Sequence, residues 1–243
     1  MGWITIVLLI ITTFTGMFLR PPLLAAIAYS KVGKIPYTEL DTPNAWFDKL
    51  RRIIVDENEN RIFIATNEAI YTCDSSFSSR PIPFYNQPPI SVMGVNVFEQ
   101  LDNQTLLVGS FEGLFLWNFI NGIVFDVIKQ SNHKRDPNKK IPLGDYLVTG
   151  FSDDFKSNAF YFDFNYGAGK LGKGMPFPDM PMQIKNQGMS LWNVALEFHT
   201  GRMYKFFGKY YILFVPLSGL VILFILVSGF IVWLKKHRKK SKQ

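Results

Sequence analysis

Histidine can act as a general acid or base and as a metal ligand, and this sequence contains three histidines. His133 lies in a polar loop, His199 lies in a His-Thr-Gly-Arg sequence, and His237 lies in the C-terminal tail. Their spacing matches no zinc-binding signature, and there is no glycine-rich phosphate loop, nucleophile elbow or HExxH motif. The sequence therefore predicts no catalytic residue and no metal centre, and it favours a protein that is not an enzyme.

His199 and Arg202 are the candidate cofactor-binding residues. A neutral imidazole at position 199 could ligate the iron of haem. The guanidinium of Arg202 could then pair with a haem propionate or with a lipid phosphate headgroup. The alternative is a histidine at a helix end beside an arginine at the level of the headgroups. This alternative is favoured because a metal ligand needs partner ligands, which the nearby sequence does not offer. Haem is the one cofactor that His199 and Arg202 suggest.

Sulfur-bearing side chains give weaker signals. Met175, Met180 and Met182 lie in a proline-rich segment, where thioethers could bind Cu(I) but more often pack loosely against a domain. Cys73 is the only cysteine, so no disulfide can form within the chain. We expect Cys73 to be a buried core residue. A domain without disulfides suits the bacterial periplasm better than a disulfide-dense secreted module.

A hydrophobic segment near the C-terminus is the clearest element that could position these residues. Residues 210–234 contain no charged side chain, and a cluster of basic residues follows them. A run of about 20 apolar residues can cross the hydrocarbon core as a helix, and such basic clusters stay on the cytoplasmic side. The sequence therefore predicts a transmembrane helix over 210–234, a cytoplasmic tail over 235–243 and the lipid bilayer as a partner. The localisation that follows is the bacterial inner membrane, with a periplasmic domain.

A second hydrophobic segment lies at the N-terminus. Residues 1–24 are predicted to hold the first transmembrane helix, which ends near Leu19 because Arg20-Pro21-Pro22 follows. The alternative is a cleaved signal peptide, since Ala26-Ile27-Ala28 has the form of a cleavage site. The lack of a basic N-terminal region favours a retained helix.

The distribution of charge argues against nucleic acid as a partner. The net charge is +7, but six basic residues lie after Leu234, and residues 29–209 carry 19 basic and 19 acidic side chains. Binding to a duplex relies on clustered basic side chains that neutralise phosphates. The region that can fold into a domain has no such excess.

The segment between the two helices, residues 25–188, is predicted to be a β-rich domain with an internal repeat. Residues 61–74 (RIFIATNEAIYTCD) match residues 105–118 (TLLVGSFEGLFLWN) at an offset of 44 residues. The repeat units lie near 53–77 and near 97–121, and each has the pattern of a strand, a tight turn and a second strand. About 40–50 residues is a normal length for one blade of a β-propeller, so the units are predicted to be blade-like hairpins.

These repeats cannot close a propeller, which needs at least about four blades. We expect an open curved arrangement or one that another protein completes, with a weaker third unit near 158–166. The alternative is two similar hairpins in an unrelated β-sandwich. Gly167–Pro181 is rich in glycine and proline and is predicted to be a loop. Ser190 is a fair N-cap for an amphipathic helix in the juxtamembrane region 189–209, which leads into the second transmembrane helix.

Ser190 to Lys236 resembles the C-terminal helix of PepSY-associated transmembrane proteins. The resemblance is carried by the His-Thr-Gly-Arg sequence and by the following hydrophobic helix, which ends in Ser-Gly-x-x-x-Trp. Thr15 to Leu24 is similar to an internal helix end in longer members of the family, particularly those of the Bacteroidota type. The resemblance implies an inner-membrane protein, and His199 corresponds to the histidine of the family element.

Some members of that family take part in the reduction of siderophore iron, using haem held by membrane histidines. Neither predicted transmembrane segment of this chain contains a histidine, so a haem core of four histidines cannot be built from it alone. From this resemblance we expect that the chain lacks an N-terminal portion, including a PepSY domain and further helices.

Two functional hypotheses follow. The first is a non-enzymatic inner-membrane protein whose periplasmic β-rich domain binds a ligand or partner and is linked to iron or metal uptake. Its partners would be the bilayer, other membrane or periplasmic proteins, or a second copy of the chain. The second hypothesis is a subunit or fragment of a haem-dependent membrane reductase for siderophore iron. A sensor ranks last because the predicted tail is too short for a signalling domain.

Overall fold

The computed structural model describes residues 2–19, 22–27, 30, 32–38, 41, 46, 49–134, 143–155, 158–173 and 176–240. The predicted helix end at Arg20-Pro21, the small-residue site at Ala28, Met175 and the last tail residues 241–243 lie outside these ranges. The chain divides into two compact units, one formed by Met1–Ser30 with Met180–Gln243 and the other by Lys31–Asp179.

The unit Lys31–Asp179 consists of three antiparallel sheets in which the strand order follows the chain, and none of the three is closed. Sheet 1 contains β1 (Leu50–Asp56), β2 (Arg61–Thr66), β3 (Ile70–Asp74) and β4 (Ile82–Pro83). Sheet 2 contains β5 (Val95–Gln100), β6 (Thr105–Ser110), β7 (Gly113–Asn118), β8 (Ile123–Asp126) and β9 (Ser131–Asn132). Sheet 3 contains β10 (Val148–Phe155), β11 (Asn158–Asp163) and β12 (Gly167–Leu171). The prediction of a β-rich domain that is not closed is confirmed.

Each repeat unit contains one hairpin, β2–β3 or β6–β7, and the two hairpins have the same register. Ile62 pairs with Cys73 in sheet 1, and Leu106 pairs with Trp117 in sheet 2, so both partners shift by the offset of 44 residues. Because side chains alternate across a strand, equal register places equivalent residues on equivalent faces. The internal repeat read from the sequence is therefore a repeat in the structure.

Equivalent polar side chains shape the turns of both hairpins. The Thr66 hydroxyl accepts hydrogen bonds from the backbone N–H groups of Glu68 (3.1 Å) and Ala69 (2.9 Å). Its equivalent, the Ser110 hydroxyl, accepts one from the N–H of Glu112 at 3.1 Å. Thr66 and Ser110 are both buried, so their oxygens satisfy turn donors that have little access to water.

Sheet 2 buries apolar side chains on both faces. One face packs with residues of sheet 1 in a cluster that includes Phe63, Ala65, Ile70, Leu106, Val108, Trp117 and Phe119. The other face packs with residues of sheet 3 in a cluster that includes Val97, Leu107, Leu114 and Val148. The indole N–H of Trp117 donates to the backbone oxygen of Asn86 at 2.8 Å, so this buried ring keeps its polar atom satisfied. The core of the unit therefore lies in the two layers on either side of sheet 2.

Sheet 3 accounts for the weaker third unit and corrects one prediction. Gly167–Leu171 is strand β12, whereas the prediction of a loop throughout Gly167–Pro181 was wrong for these residues. A Cβ at Gly169 would lie 2.2 Å from the ring of Tyr161, its partner on β11. Because glycine has no side chain, the ring of Tyr161 can lie directly over β12. The glycines that suggested a loop allow this close packing.

The other unit contains the helices. They are α1 (Gly2–Met17), α2 (Leu23–Ile27), α3 (Met182–Lys185), α4 (Leu191–His199), a 3₁₀ segment (Arg202–Leu213) and α5 (Phe214–Lys240). Among the described residues, one helical stretch, Tyr210–His237, is long and apolar enough to cross a membrane. Helix α1 has 16 residues, fewer than the roughly 20 that a perpendicular span needs. Of the two predicted spans, the C-terminal one is supported, and the N-terminal one stays a prediction.

Helix α1 packs against α5 within this unit. A Cβ at Gly219 would lie 2.4 Å from Cγ of Met17, which is buried. The C-terminal end of α1 therefore lies at the level of the first turns of α5, and the small residue permits the close approach.

Removing the turn acceptors is expected to weaken both hairpins. Thr66→Val and Ser110→Ala should each lower the free energy of unfolding by about 1–2 kcal/mol, because buried N–H groups lose their partners. The measurement is urea unfolding of the full chain in detergent, followed by tryptophan fluorescence. Thr149→Val is the control, since its exposed hydroxyl bonds only the backbone oxygen of Phe162. Equal stabilities of all three variants would contradict the role given to the two hydroxyls.

Candidate functional site

The His-Thr-Gly-Arg sequence forms the end of α4. The helix begins after Ser190, whose hydroxyl accepts from the N–H of Asn193 at 3.2 Å, so the predicted N-cap is confirmed. At the other end, the N–H and the hydroxyl of Thr200 donate to the backbone oxygen of Leu196 at 2.9 and 2.7 Å. Gly201 then adopts a left-handed conformation with φ of 77° and ends the helix. The helical region predicted over 189–209 therefore stops at His199.

Gly201 also allows a close approach by α5. A Cβ at this buried position would lie 2.9 Å from the ring of Phe214, the first residue of α5. After Gly201 the chain continues as 3₁₀ turns, and Gly208 has a non-helical conformation with φ of 60°. The chain thus turns a corner between α4 and α5, and glycine is required where it turns.

Arg202 has a partner within the corner. Its guanidinium lies 2.6 Å from Oε1 of Glu197 on α4, and both side chains are mostly buried. The guanidinium of Arg202, which we expected to pair with a haem propionate or a lipid headgroup, thus pairs with Glu197. The sequence offered no signal for it, because a separation of five residues is not a helical contact spacing and arises only from the turn at Gly201.

His199 is exposed at the end of α4. His237 lies near the opposite end of α5, where its Nδ1 is 3.0 Å from the backbone oxygen of Trp233. His133 belongs to the other unit and packs edge-on against Phe115, with ring centroids 5.1 Å apart. Within the described part of the chain, no three His, Cys, Asp or Glu side chains are grouped to hold a metal.

A polar cavity of about 330 Å³ surrounds His133, and the sequence did not suggest it. The ammonium of Lys129 bonds the carboxylate of Asp145 at 2.5 Å, which raises the pKa of Lys129. The carboxylate of Asp126 accepts the N–H groups of Ile128 and Lys129 at 3.0 and 2.9 Å and so holds a turn. These charged groups serve local structure, and their arrangement gives no nucleophile with an adjacent base.

An apolar groove on sheet 1 is the stronger candidate site. Its volume is about 440 Å³, and its lining includes Trp46, Leu50, Ile53, Ile64, Phe77, Arg80 and Pro81. It lies on the open face of sheet 1, by which we mean the face formed by Ile53, Val55, Ile62, Ile64, Tyr71 and Cys73. Ile53 and Val55 are 49% and 54% exposed, whereas their pairing partners Ile64 and Ile62 on β2 are buried. Concave, mostly apolar surfaces of this size are typical of binding sites.

The internal repeat explains why this face is apolar. The residues of sheet 2 that pack toward sheet 1 are Leu106, Val108 and Trp117, and their equivalents in sheet 1 are Ile62, Ile64 and Cys73. In sheet 2 a neighbouring β-sheet covers this set. In sheet 1 the same set points away from sheet 2, because the opposite face, with Phe63 and Ala65, packs there. These three residues, which are buried, thus repeat the chemistry of a surface that another sheet covers, and the exposed Ile53 and Val55 lie beside them on β1.

Cys73 lies on the open face as the equivalent of Trp117. It is buried, as the sequence predicted, and burial together with the nearby Asp74 carboxylate raises the pKa of its thiol. A thiol with a raised pKa carries little thiolate at neutral pH and is a weak nucleophile. The sulfur therefore belongs to the packing of the sheet.

Comparison of the chain with protein-family models, with curated proteins and with solved structures gives no match. The resemblance of residues 190–236 to PepSY-associated proteins therefore remains a prediction.

The corner after α4 yields a sharp prediction on Gly201. Gly201→Ala should destabilise the corner by roughly 1–3 kcal/mol, because alanine is strained at positive φ and its methyl group meets Phe214. The measurement is amide hydrogen exchange of residues 196–204 in the full chain, which should become faster. Gly188→Ala is the matched control, since no atom lies within 4 Å of its added Cβ. Unchanged exchange in Gly201→Ala would contradict the packing described.

Proposed function

We propose that the protein is anchored in a membrane by α5 and presents its three-sheet unit as a module that binds a protein partner through the open face of sheet 1. The anchor is supported by the apolar surface of α5. Large side chains along it are exposed, among them Phe224, Ile225 and Val232. Leaving such side chains in water would cost about 1.5–3 kcal/mol each, and a bilayer removes that cost.

The orientation is supported by charge. Lys235 and Lys236 stand at the C-terminal end of the apolar stretch, which is the end retained in the cytoplasm. The three-sheet unit then lies outside the cytoplasm, which in a bacterial inner membrane is the periplasm. The packing of Met17 against Gly219 supports a retained α1 beside α5, in preference to cleavage of α1 as a signal peptide.

The binding role rests on one observation, the exposure of the apolar β1 side chains Ile53 and Val55 beside the groove on sheet 1. Sheet 3, at the other end of the row, has its outer face covered within the chain. Phe177 packs edge-on against Phe160 and Phe162, with centroid distances of 5.2 and 5.5 Å. On sheet 1, Trp46 packs edge-on against Tyr71 at 6.3 Å, but Ile53 and Val55 stay exposed. The occupant favoured by the repeat is an apolar β-sheet face, because that is what covers the equivalent surface of sheet 2. Such a stack would extend the row in the manner of propeller blades.

The link to iron or metal uptake rests on the family resemblance of residues 190–236. The alternative, a haem-dependent reductase subunit with His199 as an axial ligand, gains no support from the corner, since Arg202 is paired with Glu197. Partner binding is therefore the function that the geometry supports best.

Site-specific photo-crosslinking tests the binding role. A photoreactive phenylalanine analogue at Val55 of the full chain in native membranes should form a defined adduct with one protein. The same analogue at Ile123 is the matched control, because Ile123 is 54% exposed on β8 of sheet 2 and lies off the open face. Adding Ile53→Asp should reduce the Val55 adduct about tenfold or more, since burying an aspartate in place of isoleucine costs well over 1.4 kcal/mol. Equal adducts at both positions, or none at Val55, would refute the proposed site.

A further inference from the structure

The corner between α4 and α5 exposes an unusual amount of aromatic surface. We call residues 191–213 the aromatic corner. Trp192 and Phe206 are 72% and 76% exposed, and further exposed apolar residues here are Leu191, Phe198, Met203, Phe207, Tyr210 and Ile212. Soluble proteins rarely expose contiguous apolar surface on this scale, so such a surface marks a contact with a partner or a membrane.

Ring contacts fix the corner at the level of the first turn of α5. The rings of Tyr204 and Phe214 have centroids 4.3 Å apart, and Phe198 at the end of α4 lies 6.1 Å from Tyr204. Gly201 lies directly against Phe214, as described above. The end of α4 therefore cannot move along the axis of α5 without breaking these contacts.

The length of α5 places that first turn at a bilayer surface. The uncharged part of the helix runs from Phe214 to Leu234 and is about 32 Å long at 1.5 Å per residue. This length matches a hydrocarbon core of about 30 Å. If Lys235 marks one boundary of the core, Phe214 marks the other. The aromatic corner then lies at that second boundary.

The polar groups of the corner suit this location. Arg202 and Glu197 neutralise one another at 2.6 Å, and the hydroxyl of Thr200 donates to the backbone oxygen of Leu196. Entry into a less polar environment therefore leaves neither charge of the pair unpaired. Tryptophan and tyrosine are the side chains that favour the boundary between headgroups and acyl chains.

We infer that the aromatic corner is immersed in the headgroup–acyl boundary of the extracytoplasmic leaflet, with the lipid bilayer as its partner. The inference rests on the proposed span of α5 and adds a second membrane contact to it. It also gives the His-Thr-Gly-Arg sequence a role. Thr200, Gly201 and Arg202 build the turn that lays Trp192 and Phe206 on the membrane, while His199 remains outside these contacts.

Nitroxide labels on single introduced cysteines test the inference in the full chain, reconstituted in phosphatidylcholine vesicles. The native Cys73 is buried and serves as an unreactive background. Trp192→Cys and Phe206→Cys report the corner, Phe224→Cys reports the centre of α5, and Tyr85→Cys reports water. Phe224 and Tyr85 are 75% and 95% exposed, so these labels leave the core intact. Depth is read from the ratio of collision rates with oxygen and with a water-soluble nickel reagent.

Labels at 192 and 206 are expected about 5–10 Å into the boundary, between the water-like value at 85 and the deep value at 224. A deep value at 224 with water-like values at 192 and 206 would overturn the inference and leave the span of α5 intact. A water-like value at 224 would instead overturn the span itself. Labels at 206 that neither reagent reaches would show a protein covering the corner, which also contradicts the inference.

Discussion

A β-sheet that is apolar on both faces is stable only where another surface covers each face, and this constraint organises the three-sheet unit. The central strands of sheet 2, β6 and β7, satisfy it. Leu106, Val108 and Trp117 pack toward sheet 1, and Leu107 and Leu114 pack toward sheet 3, so both faces of these strands are buried. Because the hairpins repeat at an offset of 44 residues, sheet 1 has apolar side chains at the equivalent positions and needs the same kind of cover. The equivalent residues of sheet 1, Ile62, Ile64 and Cys73, are buried, whereas Ile53 and Val55 on the neighbouring strand β1 stay exposed.

The same constraint, that apolar surface must be covered, applies to the helical unit. No protein surface among the described residues covers most of α5, and the apolar residues around Trp192 and Phe206 continue that surface beyond the helix. In the proposed membrane location, a bilayer would cover both at once. In that location the pairing of Arg202 with Glu197 would lower the cost of bringing the end of α4 to the boundary.

Periodicity and local chemistry made part of this predictable from the sequence. The repeat predicted the β2–β3 and β6–β7 hairpins, and these two hairpins have the same register. Ser190 gave the start of α4, because N-caps act through local hydrogen bonds. The uncharged run gave α5. Cys73 was expected in the core from its alignment with Trp117, and it lies there.

The rest depends on contacts between residues that the sequence does not mark as neighbours. Gly169 lies in a strand because the ring of Tyr161 covers it, so a glycine-rich segment that looked like a loop became β12. Arg202 was assigned to an external ligand because its partner Glu197 comes into reach only after Gly201 turns the chain. The packing of Met17 on Gly219 joins residues about 200 positions apart, and no local pattern indicates it.

The central claim is that α5 crosses a membrane, with the three-sheet unit outside the cytoplasm and the tail inside. Labelling of single cysteines in intact cells with a membrane-impermeant maleimide tests it most directly. The claim predicts that Tyr85→Cys is labelled in intact cells, whereas Ser241→Cys is labelled only after the membrane is permeabilised. Labelling of Ser241→Cys in intact cells, or protection of Tyr85→Cys until permeabilisation, would contradict it.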